Sequence, residues 1–129
     1  GKPPTLPLWL SPTQVRLIPL ADRHLKLCEK IAGELSESLV RVDIDDRAET
    51  VQKKVRDAER EWIWYIVVIG DKELKSKKIP VRERGKKTIR KMTARSLAQE
   101  INRKTKGMPF APLSLPSHLS ERPIFAGGS

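Results

Sequence analysis

The apolar residues of this chain follow strand-like and helix-like patterns that alternate along the sequence. Residues 14–20, with Val15, Leu17 and Ile18 apolar, predict a short strand that ends at Pro19. Apolar and charged residues alternate over residues 40–45, which predicts a half-buried strand. The continuous apolar run Tyr65–Ile69, closed by Gly70, predicts a central strand covered on both faces. Residues 79–84 and 86–92 then flank a glycine and predict a hairpin that is rich in lysine and arginine.

Three helices are predicted where apolar residues recur at three- and four-residue spacing, namely residues 23–38, 47–62 and 94–105. The residues at their predicted N-caps are Asp22, Asp46 and Thr93. Glu49, three residues after Asp46, completes a pattern that resembles a capping box, and Trp62 ends the buried stripe of the second helix. The order β-α-β-α-β-β-β-α predicts an α/β fold with an open mixed five-stranded sheet and three helices.

Proline placement predicts the limits of the folded unit. Eight of the ten prolines fall in residues 1–12 and 109–123, and such segments do not form helix interiors. We therefore expect an extended linker from an upstream domain at 1–12, a single domain at 13–108 and a Pro-rich extension at 109–129. The chain begins with Gly and has one cysteine, Cys28, so we expect a piece of a longer cytoplasmic protein without an internal disulfide. No apolar run approaches the length of a membrane span.

The net charge of +10 is concentrated in one segment. Residues 71–106 contain 14 Lys and Arg but only four Asp and Glu, whereas the rest of the chain is balanced. Such a segment favours a surface that attracts phosphates without regard to sequence. A lysine-rich face that serves only solubility is the alternative.

Motifs for catalysis are absent from the sequence. It has no Gly-rich phosphate loop and no Cys/His spacing typical of a metal site. Asp43, Asp45 and Asp46 allow two interpretations, a carboxylate metal site or the end of a strand followed by the cap of a helix. We prefer the second. The chain on its own is thus predicted to be non-catalytic.

Two pairs of side chains in or next to the basic segment have residue types that can contact a nucleobase, namely Trp62 with Trp64 and Glu73 with Arg82. Trp62 is predicted to pack in the core, whereas Trp64 remains open between packing and base stacking. Glu73 follows the central strand and Arg82 lies on the next one, so together they offer an acceptor and a planar donor for one unstacked base. A surface ion pair between Glu73 and Arg82 is an equally good interpretation at this point.

LSPTQV (10–15) resembles the start of the anticodon-binding domain of class II aminoacyl-tRNA synthetases. Four further segments resemble the C-terminal domain of one family of that class, the threonyl-tRNA synthetases: DIDDRAETVQKKVRDAEREW (43–62), YIVVIGDKE (65–73), KIPVRERG (78–85) and PFAPLSLPSHLSERPIF (109–125). The last is similar to the extension of archaeal forms. The resemblance covers about residues 6–125 and implies the class II synthetase anticodon-binding fold.

The resemblance implies that the domain binds a tRNA anticodon loop and reads its second and third letters, G and U for threonine. It assigns guanine reading to Glu73 and Arg82. With the charge pattern it implies phosphate or backbone contacts from Lys72, Lys75, Lys77, Lys78, Arg84, Lys86 and Lys87. Arg47 and Trp64 are candidates for further RNA contacts. Ala48 stands where bacterial forms often carry Asn, so the reading of the third letter does not carry over.

The resemblance also implies partners and a setting. We expect threonine tRNA as the partner, no DNA or membrane, and a cytoplasmic location. No cofactor or metal is expected in this chain, while the parent enzyme would use ATP, Mg and Zn in its catalytic domain. The isolated domain is expected to be a monomer and the parent a homodimer. Three alternatives remain: a separate archaeal editing protein as the parent, a general RNA- or protein-binding module, and a small flavodoxin-like nucleotide enzyme.

Overall fold

The computed structural model describes residues 6–113 and 115–123. Its strands are β1 (Val15–Pro19), β2 (Val42–Ile44), β3 (Tyr65–Ile69), β4 (Lys78–Glu83) and β5 (Ile89–Thr93). Its α-helices are α1 (Leu25–Glu37), α2 (Val51–Arg60), α3 (Asp71–Lys75) and α4 (Ala94–Lys104). The strands form one sheet in the order β2-β1-β3-β4-β5. The first three are parallel, and β4 and β5 add an antiparallel hairpin.

This sheet confirms the predicted open mixed α/β fold. The three predicted helices correspond to α1, α2 and α4, and the short helix α3 is an addition that the pattern does not indicate. Thr93 caps α4 as predicted, because its side-chain oxygen accepts from the Ser96 backbone N–H at 3.1 Å. Among the described residues, the longest helix has 13 residues, and no helix has both the length and the apolar character to cross a bilayer.

Two hydrophobic clusters lie on opposite faces of the sheet because side chains alternate along each strand. Leu17 joins the main cluster with α1 and α4, whereas Ile18 joins a smaller cluster with α2. On this second face the hairpin is left open: Ile89 pairs with Arg82 across β4 and β5 and is 60% exposed. The open part of the sheet thus presents side chains of the basic segment to solvent.

Two predicted helix starts are wrong. Residues 22–24 form a 3₁₀ turn, and α1 begins at Leu25 with His24 rather than Asp22 at its N-cap. The Ala21 N–H donates to Nδ1 of His24 at 3.1 Å. Helix α2 begins at Val51, later than predicted, and Thr50 is its N-cap. Asp46 does not cap it because its carboxylate instead accepts from the Ser120 N–H and hydroxyl at 2.9 and 2.8 Å.

The end of α2 also differs from the prediction. The helix ends at Arg60, and Trp62 adopts a left-handed φ of 59°, which turns the chain away from the helix axis. Ile63, 6% exposed, therefore takes the core position that the pattern assigns to Trp62. The prediction that Trp62 continues the buried stripe is wrong, and its side chain is only half-buried.

Both flanks contact the sheet. Leu8 is buried in the main cluster, and the Ile44 N–H at the end of β2 donates to the Ser117 carbonyl at 2.7 Å. His118 extends this contact as a single bridge beside Ile44. The boundaries predicted at residues 12 and 109 stay a prediction, and residues 114 and 124–129 of the extension lie outside the described residues.

Candidate nucleic-acid interface

Arg82 lies on the open face of β4, opposite Ile66 of β3. Its Nη2 is 3.2 Å from Oε2 of Glu59 on α2, and the two side chains are 41% and 49% exposed. An exposed ion pair of this kind contributes little to stability and exchanges readily for another partner. The alternative interpretation, an ion pair between Glu73 and Arg82, is wrong because the partner of Arg82 in the described chain is Glu59.

Glu73 is held by its own helix. Its Oε1 accepts from the Gly70 backbone N–H at 2.7 Å, so the carboxylate folds back over the first turn of α3. A Cβ at Gly70 would lie 2.5 Å from Cδ1 of Leu20, so the exposed end of the leucine side chain would have to move aside. Oε2 of Glu73 has no hydrogen bond or ion pair among the described residues, so it remains available as an acceptor.

Arg82 and Glu73 are separate along the sheet. Arg82 is level with Ile66, whereas Glu73 follows the end of β3 at Ile69, about 10 Å further along the strand direction. Glu73 on α3 and Arg82 on β4 therefore lie on neighbouring elements but form no hydrogen bond or ion pair with each other. One ligand that contacts both would have to span the end of β3.

The predicted phosphate contacts form two groups at opposite ends of β4. One group, the corner cluster, lies where α3 leads into β4 and consists of Lys72, Lys75, Lys77 and Lys78. The other, the turn cluster, lies in the β4–β5 turn and consists of Arg84, Lys86 and Lys87. The length of β4 separates the two clusters by about 17 Å.

The two clusters differ in how far their charges are already paired. Every lysine of the corner cluster is exposed, and none has a carboxylate within 4.0 Å in the described part of the chain. In the turn cluster, Lys86 lies 3.7 Å from Glu83, and Arg84 donates to the Trp62 carbonyl at 2.9 Å. The corner cluster is therefore free to attract an anion, whereas the turn cluster is already partly paired.

Trp64 lies beneath Arg84. The guanidinium carbon is 3.6 Å from the centre of the indole ring, and the indole N–H donates to the Leu6 carbonyl at 3.1 Å. Burial lowers the pKa of Arg84, which is consistent with a guanidinium enclosed by these groups. Trp64 thus has a packing role that ties the N-terminal segment to β3, and base stacking by Trp64 stays a prediction.

A polar network on the other face supports the hairpin. Glu100 of α4 accepts from Arg90 at 2.9 Å and from the Tyr65 hydroxyl at 2.7 Å. Lys104 is 3.2 Å from Glu83, which also accepts from Arg90. Hydrogen bonds from Arg90 lower the pKa of Glu100 to about 2, and burial raises the pKa of Tyr65 to about 12. Arg90 and Lys104 are therefore engaged within the fold.

The three aspartates near β2 are also engaged. Asp43 is fully buried and accepts from Arg16 and Thr13, each at 2.9 Å. Asp45 accepts from Arg47 at 2.8 Å, and Arg47 donates as well to Asp57 at 3.0 Å. Within the described ranges, no group of three His, Cys, Asp or Glu side chains is placed to hold a metal ion. Arg47 as an RNA contact stays a prediction.

Known proteins resemble this chain in both sequence and fold. A family model described as "Anticodon binding domain" matches residues 14–104. The chain belongs to the anticodon-binding domain family. It is 46% identical over 123 residues to a threonine–tRNA ligase of Nitrosopumilus maritimus and 48% identical over 127 residues to one of Pyrococcus horikoshii. These alignments cover 95% and 98% of this chain but 20% of each relative, so the chain spans about a fifth of their length.

Solved structures give the same picture for this anticodon-binding domain. The RNA binding domain of threonyl-tRNA synthetase from Cryptosporidium parvum superimposes with a TM-score of 0.71 at 27% identity, over 84% of this chain and 26% of that one. Prolyl-tRNA synthetase from the same organism, at 24% identity and a TM-score of 0.69 over 77% and 22% of the two chains, shows the shared fold. The resemblance to threonyl-tRNA synthetases is therefore confirmed.

Two residues of this anticodon-binding domain escape sequence reasoning. Glu59, the partner of Arg82, precedes it by 23 residues and lies on helix α2, whereas Arg82 lies on strand β4. Lys54 carries a basic side chain on α2 but is only 6% exposed. Its place on the helix, three residues after Val51 and four before Ala58, is the one signal that points inward.

Proposed function

We propose that this chain is the anticodon-binding domain of a threonyl-tRNA synthetase and that it binds the anticodon loop of threonine tRNA. The observation that carries the proposal is the 46% identity to a threonine–tRNA ligase over 95% of this chain. The free charges of the corner cluster support it, because lysines without protein partners are suited to release counterions from an RNA backbone.

Base reading is proposed for Arg82 and Glu73. The planar guanidinium of Arg82 donates to O6 and N7 of guanine, the commonest specific contact of an arginine with a base. In doing so it exchanges Glu59 for the base. The free Oε2 of Glu73 accepts from the N1–H and N2–H groups of an unstacked guanine, and the bond from Gly70 keeps the carboxylate in place. A guanine at the second letter that contacts both residues must lie across the end of β3, because Arg82 and Glu73 are about 10 Å apart along the strand direction.

The proposal extends to the parent protein. The relatives named above are ligases, which favours a ligating parent over the separate editing protein. Aminoacylation with ATP, Mg and Zn would then belong to parts of the parent outside this chain. A cytoplasmic location and a homodimeric parent are part of the same proposal.

Binding of anticodon stem-loops to the isolated chain tests this function. Fluorescence anisotropy is measured at two salt concentrations with stem-loops that carry guanine or adenine at the second letter. We expect a preference for guanine that Arg82→Ala reduces by about 1–3 kcal/mol. Arg103→Ala is the control, since Arg103 is exposed on α4 and has no ion pair in the described structure. Equal discrimination by both variants would disprove base reading by Arg82.

A further inference from the structure

The short helix α3, which carries Glu73, has little apolar packing of its own. None of its five described residues is buried, and Leu74 is 50% exposed. The helix follows β3 directly, while the 3₁₀ turn Asp22–His24 follows the neighbouring parallel strand β1. Because parallel strands end at the same edge of a sheet, this turn and the start of α3 lie side by side. With so little packing, the orientation of α3 depends on polar contacts across this edge.

Asp71, the first residue of α3, is bonded to two residues of that turn. Its Oδ1 accepts from Nε2 of His24 at 2.6 Å and from Nε of Arg23 at 2.9 Å. Its Oδ2 accepts from Nη2 of Arg23 at 2.9 Å. Hydrogen bonds from Arg23 and His24 hold the pKa of Asp71 well below its usual range, so the carboxylate stays ionised. We call these three residues the α3 anchor, because they join the end of β1 to the start of α3.

His24 is the firm part of the α3 anchor. Its side chain is 1% exposed, and its Nδ1 accepts from the Ala21 N–H at 3.1 Å, so the ring proton lies on Nε2. In the described part of the chain, Asp71 is the acceptor for this Nε2–H, and a buried N–H without an acceptor is costly. Arg23 contributes less, because Arg23 and Asp71 are 64% and 63% exposed and solvent screens their attraction. The buried ring therefore fixes the position of the carboxylate.

The α3 anchor lies next to the contact that holds Glu73. Oε1 of Glu73 accepts from the Gly70 N–H at 2.7 Å, and Gly70 directly precedes Asp71 in the chain. A change in the direction of the first turn of α3 would move the Glu73 carboxylate and its available Oε2 together. Hydrogen bonds weaken steeply when donor and acceptor lose their alignment. The contact of Glu73 with a base is therefore sensitive to how α3 is held.

We propose that Asp71, held by His24, is a positioning residue for base reading. It fixes the first turn of α3 so that the Glu73 carboxylate meets guanine in one orientation, and it acts through Glu73 without contacting the RNA. The inference rests on the proposed function, since it requires Glu73 to read a base.

Two substitutions of Asp71 separate its hydrogen bond from its charge. Asp71→Ala removes both, whereas Asp71→Asn removes the charge but keeps an acceptor for His24. The two variants have the same net charge, so each is the matched control of the other. We expect Asp71→Ala to reduce the preference for guanine over adenine at the second letter by about fivefold, part of what one good base contact supplies. Asp71→Asn should retain most of the preference. Fluorescence anisotropy with the guanine and adenine stem-loops measures both.

A double-mutant cycle shows whether Asp71 acts through Glu73. Glu73→Gln should lose guanine preference by itself, and Asp71→Ala in the Glu73→Gln background should then cause no further loss. His24→Asn keeps an acceptor for the Ala21 N–H but is too short to reach Asp71. It should reproduce the effect of Asp71→Ala.

The outcomes separate this inference from the proposed function. If Glu73→Gln loses the preference and Asp71→Ala keeps it, the inference is wrong and the proposed function stands. Equal losses in Asp71→Ala and Asp71→Asn would assign the effect to charge, and additive losses from Asp71 and Glu73 would show independent roles. Either result overturns the inference. If Glu73→Gln keeps the preference, base reading by Glu73 fails and the inference fails with it.

Amide hydrogen exchange of the chain without RNA tests the anchor directly. The Gly70 N–H is bonded to Glu73, so its exchange rate reports on the first turn of α3. We expect Asp71→Ala to speed exchange at Gly70 about fivefold, the effect of losing roughly one hydrogen bond. Val67 in the central strand should be unchanged, and Asp71→Asn should keep the slow rate at Gly70. An unchanged rate at Gly70, or the same acceleration at Val67, contradicts the inference.

Discussion

The charge of the Glu100 carboxylate holds together the polar network beneath the β4–β5 hairpin. Replacing Glu100 by glutamine tests how much this charge contributes to the stability of the fold. Glu100→Gln keeps the shape and an acceptor for the Tyr65 hydroxyl but removes the charge that faces Arg90 and Lys104. The fold lowers the pKa of Glu100 from 4.5 to about 2. Since one pKa unit corresponds to about 1.4 kcal/mol, the charge of Glu100 contributes at most about 3 kcal/mol to the free energy of unfolding.

Exposure of the network to solvent makes the actual contribution of Glu100 to stability smaller than this upper limit. The side chain of Glu100 is 10% exposed, but those of Arg90 and Lys104 are 41% and 37% exposed, so water screens the cations. We expect Glu100→Gln to lower the free energy of unfolding by about 1–2 kcal/mol at neutral pH. Urea unfolding followed by tryptophan fluorescence measures it, with Glu37→Gln on the exposed side of α1 as control.

The effect has a defined pH window. Because the pKa of Glu100 is lower in the folded chain, its stabilising contribution is complete above its ordinary pKa of 4.5 and is lost as the pH falls to about 2. The difference between wild type and Glu100→Gln should therefore shrink over that range. A difference that is the same at low and neutral pH would refute the reasoning, since the cost would then come from packing rather than charge.

Two further predictions concern the helix end and the corner cluster. Leu39 has a left-handed φ of 64° after α1 and a side chain that is 58% exposed, so Leu39→Gly should stabilise the fold by about 0.5–1 kcal/mol in urea unfolding. Leu39→Ala, which keeps the strain, should be less stable than the glycine variant, and the reverse order would contradict the argument. Lys75→Ala and Lys77→Ala should each lower the slope of log K against log salt by about one for stem-loop binding, independent of base sequence. Lys106→Ala serves as control, and unchanged slopes for all three would exclude the corner cluster as a phosphate surface.

Local patterns predict the five strands and the three longer helices of this fold, but not the short helix α3 or the ends of α1 and α2. The run Tyr65–Ile69 indicates a central strand because burial on both faces leaves no polar residue within it. The start of α2 is different, since Asp46 is a good cap by type but bonds Ser120, 74 residues later in the chain. A distant residue therefore decides which of two candidate caps, Asp46 or Thr50, the helix uses.

The candidate site was predictable where residue type and neighbouring elements sufficed. The strand order predicts that Arg82 and Glu73 lie on neighbouring elements, and counting locates the charged segment, whereas base reading by the two residues is implied only by the family resemblance and stays a prediction. The pairing of Arg82 with Glu59 depends on how α2 crosses the sheet, which no spacing in the sequence reports. The burial of Lys54 is indicated only by its spacing from Val51 and Ala58. The exchange of roles between Trp62 and Ile63 likewise results from a single left-handed residue at the helix end.

The contact between the C-terminal extension and β2 has a consequence for solubility. A sheet with free edge strands offers unpaired backbone groups to other chains, which promotes aggregation. At β2 the backbone of Ile44 is bonded to Ser117 and bridged to His118, so this chain partly covers its own edge. The opposite edge, β5, carries the exposed Lys91, which has no ion pair among the described residues, and two such edges repel each other. The fold thus protects one side of its sheet by its own polypeptide and the other by positive charge.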